Sequence, residues 1–191
     1  MRAREMVTGF SGKPSHPPLT DASIGAYTAA VAMLVAGSIG LEERQMAHGA
    51  LLALSVGLAL AAPTALTGLV DWLGLERGTP ARTVATVHLG VMLLATVLFA
   101  LTWVAQRPGY VDDEIRTLGL VLGLVAEATL AVGGVLGGTL AYVYGVRVLK
   151  RPQTAPRDAL IPGRLGPEEQ AAASTALASS ELPVEPFTPK E

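Results

Sequence analysis

Long apolar stretches alternate with short polar ones along this chain. Segments 22–41, 46–70, 83–106 and 117–146 hold a single charged residue among them, Glu127. About 20 uncharged, mostly apolar residues match one crossing of a ~30 Å hydrocarbon layer. The pattern therefore predicts an all-α fold, a four-helix transmembrane bundle with helices at about 22–41, 46–70, 81–106 and 117–146. These lie in a membrane domain of residues 21–150. Residues 1–20, with Gly9, Gly12, Pro14, Pro17 and Pro18, read as a polar, irregular N-terminal arm that ends at a cap on Thr20 or Asp21. Thr79-Pro80 suits the start of the third helix. Pro108-Gly109 and the acidic run Asp112-Asp113-Glu114 read as the loop after it. The fourth segment, ~45 Å long at 1.5 Å per residue, must tilt or project beyond the hydrocarbon. Residues 151–191 read as a Pro-rich, mostly disordered tail with a short helix near 168–179. No internal repeat stands out.

Composition narrows the chemistry. The 191 residues include no cysteine, which excludes disulfides, cysteine-ligated iron–sulfur clusters, covalent c-type haem and a thiolate nucleophile. The 14 basic residues are nowhere dense enough for nucleic acid. Met1–Phe10 is too polar for a signal-peptide core, so the first helix is expected to be retained. Four crossings put both termini and the second loop on one side, with Arg2, Arg4, Lys13, Arg77, Arg82, Arg147, Lys150, Arg151 and Arg157. Only Arg44, Arg107 and Arg116 fall opposite. The excess favours cytoplasmic termini and a multi-pass protein of the cytoplasmic membrane.

Helices in lipid associate through close backbone packing rather than hydrophobic burial. Gly49, Ala53, Gly57 and Ala61 recur every fourth residue in helix 2. Gly133, Gly134, Gly137 and Gly138 form two overlaid small-residue pairs in helix 4. Both sets are expected at helix contacts. Pro63 interrupts helix 2, with Thr64 and Thr67 positioned to supply compensating hydrogen bonds.

The polar residues divide by side. His16, Asp71 and His88 gather at the terminal side, where a folded-back arm would bring His16 to the other two. A carboxylate at a helix C-terminus meets the negative dipole end and needs a cation; Arg77, Arg82 and His88 are the candidates. A histidine inside a membrane must be partnered or ligate something. Trp72, Tyr142 and Tyr144 suit an interfacial belt. On the opposite side, Glu127 either lies shallow and meets His48 or lies near the midplane against a neighbouring helix.

His16-Pro17-Pro18-Leu19 with Asp21 and Ile24-Gly25, followed by Gly68-Leu69-Val70-Asp71-Trp72, His88, and Gly137-Gly138 with Leu140, Tyr142 and Gly145, resembles a bacterial membrane-protein family. That family is known as domain of unknown function 2231, and the resemblance covers about residues 14–148. It implies a four-helix bundle in the bacterial inner membrane without an established activity. Some relatives appear fused to Rieske domains, which implies an association with electron transfer. Thr139 stands where the family usually has an acidic residue, and Tyr144 where a histidine often precedes the glycine.

The leading expectation is a non-enzymatic anchor or accessory subunit, in contact with the bilayer and with other membrane subunits or copies of itself. The alternative is a redox module binding b-type haem or quinone near His16, Asp71 and His88. A small proton-coupled transporter using Glu127 is third. A reporter fused after the C-terminus and active only outside the cytoplasm should stay silent; a strong signal would invert the topology.

Overall fold

The computed structural model describes residues 9–10, 13–148 and 160. The expected tail helix, the rest of the 151–191 segment apart from residue 160, and residues 1–8 lie outside the described residues. Gly9–Phe10 pairs antiparallel with Lys13–Pro14, a two-residue ladder ahead of the helices. Four helices follow: α1 His16–Ser38, α2 Glu43–Leu73, α3 Pro80–Asp112 and α4 Thr117–Gly138, the last continued by a π-helical turn over Thr139–Val143. Each of the four is long and apolar enough to span a bilayer.

Three boundaries differ most from the sequence expectation, two of them through proline. α1 begins at His16, not after residue 20, so His16 is no part of a folded-back arm. Pro17 and Pro18 fall in the first turn, whose N–H groups have no helical acceptor to lose. α3 runs through Pro108 to Asp112 instead of ending near Gln106. It closes on Asp113 in the left-handed region (φ 63°). The buried Gln106 amide holds the turn beyond it, donating to the Glu114 carbonyl (3.0 Å) and accepting from the Arg116 N–H (3.1 Å). α4 loses regularity at residue 139 rather than 146. The Tyr144 N–H reaches the Thr139 carbonyl (3.2 Å), and Gly145 (φ 66°) turns the chain away. α3 does begin on a Thr79 cap, whose hydroxyl accepts from the Arg82 N–H (3.2 Å), with Pro80 following.

The helices run up and down as two hairpins, α1 with α2 and α3 with α4, that pack more intimately within each hairpin than between them. Tyr27, Ala30, Val31, Leu54, Ala95, Phe99, Ala126 and Leu130 form the core between the hairpins. At its centre the Tyr27 and Phe99 rings stack at 3.9 Å, their planes 1° apart. Outward positions such as Leu52, Val56, Leu66, Val87, Leu93 and Val132 are exposed, as suits a lipid-facing surface.

The small residues divide by face. A Cβ at Gly57 would meet the Tyr27 ring at 2.6 Å, and one at Gly49 the Met33 sulfur at 2.7 Å. Ala53 and Ala61 pack against the core. Gly133 abuts Met92 and Gly137 abuts His88. Gly134 has nothing within 4 Å, and Gly138 meets only Tyr142. Successive residues point about 100° apart on an α-helix, so one glycine of each adjacent pair must face elsewhere. Hence only Gly133 and Gly137 of the four serve a contact between helices.

The hairpins share more than their topology. From His16, the buried positions of α1 include Ser23, Tyr27, Ala30, Leu34 and Gly37; from His88, the same spacing gives Ala95, Phe99, Thr102, Gln106 and Gly109, all buried in α3. Counting back from Gly68, Thr64, Gly57, Leu54 and Ala50 are buried in α2. Counting back likewise from Gly137 gives Gly133, Ala126, Gly123 and Gly119 in α4. Heptad-like burial is common to helix bundles; the histidine–glycine contacts described below fix the register between the halves.

Gly57→Leu should lower stability by about 1–3 kcal/mol, because the isobutyl group drives into the Tyr27–Phe99 stack. Gly134→Leu, facing open space, should melt like the parent. Equal thermal midpoints for the two variants in detergent would refute this packing.

Candidate functional site

A cavity of about 190 Å³ opens between the hairpins at the end where α1 and α3 begin. Its walls are largely apolar, with Ile24, Ala61, Leu89, Met92 and Leu130 among them. The polar minority includes His16, Asp71, His88 and Arg147, with Tyr27 also on its wall.

His16 leaves the first turn of α1 and crosses to α2. Its Nδ1 lies 3.0 Å from the Thr64 carbonyl and 3.0 Å from the Thr67 hydroxyl. Thr67 Oγ1 lies within donating range of the Pro63 (3.1 Å) and Thr64 (2.9 Å) carbonyls. Its proton directed there leaves the hydroxyl oxygen free to accept. A carbonyl can only accept, so His16 Nδ1 carries the proton. The ring lies on Gly68, where a Cβ would come within 2.7 Å of Cε1. Pro63 sits one residue before the carbonyl that His16 uses, and Thr64 returns its own hydroxyl to the Leu60 carbonyl (2.8 Å). Side chains thus bond the Leu60, Pro63 and Thr64 carbonyls around the proline.

The second hairpin repeats the arrangement. His88 of α3 places Nδ1 2.9 Å from the Gly133 carbonyl of α4, and its ring lies on Gly137 with Cε1 3.1 Å from a built Cβ. In each hairpin the imidazole bonds a carbonyl exactly one turn before the glycine that makes room for it. With Nδ1–H committed to the main chain, Nε2 is the nitrogen each ring keeps for a ligand.

Asp71 pairs with neither histidine. Its carboxylate meets Arg147 Nε at 2.8 Å, with the two side chains 11% and 28% exposed. The π-helical turn and Gly145 deliver Arg147 there, and no sequence signal singled it out. Arg82, one expected partner, instead lies over the Trp72 ring at 3.6 Å and donates to the Trp72 and Leu75 carbonyls, capping α2. The Trp72 indole donates to Thr86 (3.0 Å), tying α2 to α3. His16, Asp71 and His88 thus share one cavity without bonding one another.

The other two polar candidates lie apart from it. His48 pairs with Asp113 at 2.8 Å and stacks on Tyr110 at 4.3 Å, with Arg44 3.5 Å from the same carboxylate. Glu127, near the midpoint of α4, accepts from the Thr28 hydroxyl of α1 at 2.8 Å. It does not meet His48, so the shallow placement is set aside. Its second oxygen is buried without a protein partner. Sequence reasoning also passed over Tyr27, whose residue is 3% exposed and whose hydroxyl is buried without a partner. Its place on the apolar, buried face of α1 gave no hint of the cavity wall. No cluster of three or more metal-ligating side chains occurs among the described residues.

Fold and site together define a four-helix membrane protein with a largely apolar cleft, carrying a few polar side chains, between two helical hairpins. The chain matches, over residues 12–150, the model of the family described as "Predicted membrane protein (DUF2231)", and it belongs to that family. Searches of curated proteins and of solved structures returned no match.

Removing either partner of the Asp71–Arg147 pair leaves a charge in a partly dry site. Asp71→Asn and Arg147→Gln should each destabilise, while the double variant loses less than their sum by about 1 kcal/mol or more. Strictly additive losses in thermal melts would mean the pair does not couple α2 to the end of α4.

Proposed function

We propose that this protein is a non-enzymatic accessory subunit of a membrane redox assembly, holding a lipophilic, ring-bearing carrier of the quinone type in the cleft between its hairpins. The observation that carries this reading is the pair of imidazoles, each fixed through Nδ1 to a main-chain carbonyl, on the walls of one largely apolar cleft. Small-ligand sites combine apolar walls with a few oriented polar groups, and this cleft has that character. Tyr27 adds a buried hydroxyl in need of a partner, which a ligand oxygen would satisfy. The Asp71–Arg147 pair gives the site a charged side. Glu127 lies outside the cleft lining, so the transporter reading draws no support from it.

Trp72 lines the cleft and serves as a probe. Short-tailed quinones should quench its fluorescence saturably in the purified protein, and His88→Phe or Tyr27→Phe should weaken the effect several-fold. Unsaturable, nonspecific quenching in both parent and variants would remove the reading. A visible spectrum gives the second check. A Soret band with sharp bands on reduction, lost on substituting His16 or His88, would replace the quinone with b-type haem held by the same nitrogens.

A further inference from the structure

The two halves of the bundle present their imidazoles in matching ways. His16 sits in α1 as His88 sits in α3, and each bonds a carbonyl one turn before a glycine in the second helix of its own hairpin. The Tyr27–Phe99 stack joins positions that lie equally far along α1 and α3 from the two histidines. The two hairpins thus use matching positions for matching contacts. His16 in the first hairpin and His88 in the second face one cleft from the two hairpins that enclose it.

Their chemistry matches as well. Both Nδ1 atoms face acceptors, so in the neutral rings both Nε2 atoms carry lone pairs. Thr20 Oγ1 lies 3.5 Å from His16 Nε2, but that hydroxyl donates to the His16 carbonyl at 2.9 Å, which leaves the lone pair available. The site thus offers two acceptors of one kind, one from each hairpin. A quinone ring carries two oxygens on opposite edges: acceptors in the oxidised dione, donors in the reduced diol. Two acceptors facing two acceptors leave buried groups unpaired, whereas two acceptors facing two hydroxyls satisfy all four.

We infer that the cleft selects the reduced, dihydroxy form of a lipophilic para-quinone over the dione, with His16 and His88 each accepting one hydroxyl proton in a hydrogen bond. This rests on the quinone reading above and adds the oxidation state to it. No electron or proton transfer is required for the selection.

The test compares decyl-benzoquinol with decyl-benzoquinone under anaerobic conditions, using the full chain in lipid nanodiscs and Trp72 quenching corrected with the Trp72→Phe variant. The diol should bind at least tenfold more tightly. His16→Phe and His88→Phe should each reduce that ratio by a similar factor, weakening the diol more than the dione. Size-exclusion profiles and thermal midpoints would verify that the variants are folded, and the comparison in the unmodified protein needs no variant. Equal affinities, or tighter dione binding, would overturn the inference while leaving a quinone site in place. Binding of neither form would remove the quinone reading and the inference with it. A ratio that responds to one histidine alone would overturn the two-sided site.

Discussion

A helix that crosses lipid must satisfy its own polar groups and those of its side chains without help from water, and the two imidazoles show how this protein does so. Each histidine is an apolar-sized ring with a polar edge, and each places that edge on a helical carbonyl of the facing helix. The ring fits because a glycine lies one turn further on, under Cε1. The same contact closes the hairpin, fixes the tautomer and determines which nitrogen is left for chemistry. Other bonds between helices extend the principle: Ser55 accepts from the Trp103 indole at 2.9 Å, and Thr28 donates to Glu127 at 2.8 Å.

The four crossings were legible because charge is excluded from hydrocarbon so strongly that its absence marks them out. The ends were less legible where proline was read as a break. His16-Pro17-Pro18 and Pro108-Gly109 both look like irregular chain, yet the first lies in an opening turn and the second is carried through by the helix. Proline costs one hydrogen bond and some bending; whether a helix tolerates that depends on what surrounds it. The likeness of the halves was hidden for a different reason. Packing requires equivalent positions to be buried, not identical, so Ser23 answers to Ala95, Tyr27 to Phe99 and Leu34 to Gln106.

Of the candidate site, the sequence marked His16, Asp71 and His88 as polar residues in need of partners, but not the partners. The Thr64 and Gly133 carbonyls are invisible to any reading of side chains. Arg147 was hidden by the apparent continuity of helix 4, which conceals the turn ahead of it. The five-residue π turn and the left-handed Gly145 redirect it toward Asp71. The Gly133-Gly134 and Gly137-Gly138 pairs looked equivalent in sequence, and only the orientation of α4 separates the inward glycines from the outward ones.

The separation of these partners along the chain bears on the order of assembly during synthesis. His16 finds its carbonyl within the first hairpin and His88 within the second, so each hairpin carries its own fastening as it leaves the ribosome. Asp71 belongs to the first hairpin, but its cation is residue 147, beyond the last helix. Until residue 147 is made, the first hairpin lacks the cation that Asp71 meets in the finished fold. The cleft therefore acquires its charged side last, when the chain emerging behind α4 turns back at Gly145 and brings Arg147 across.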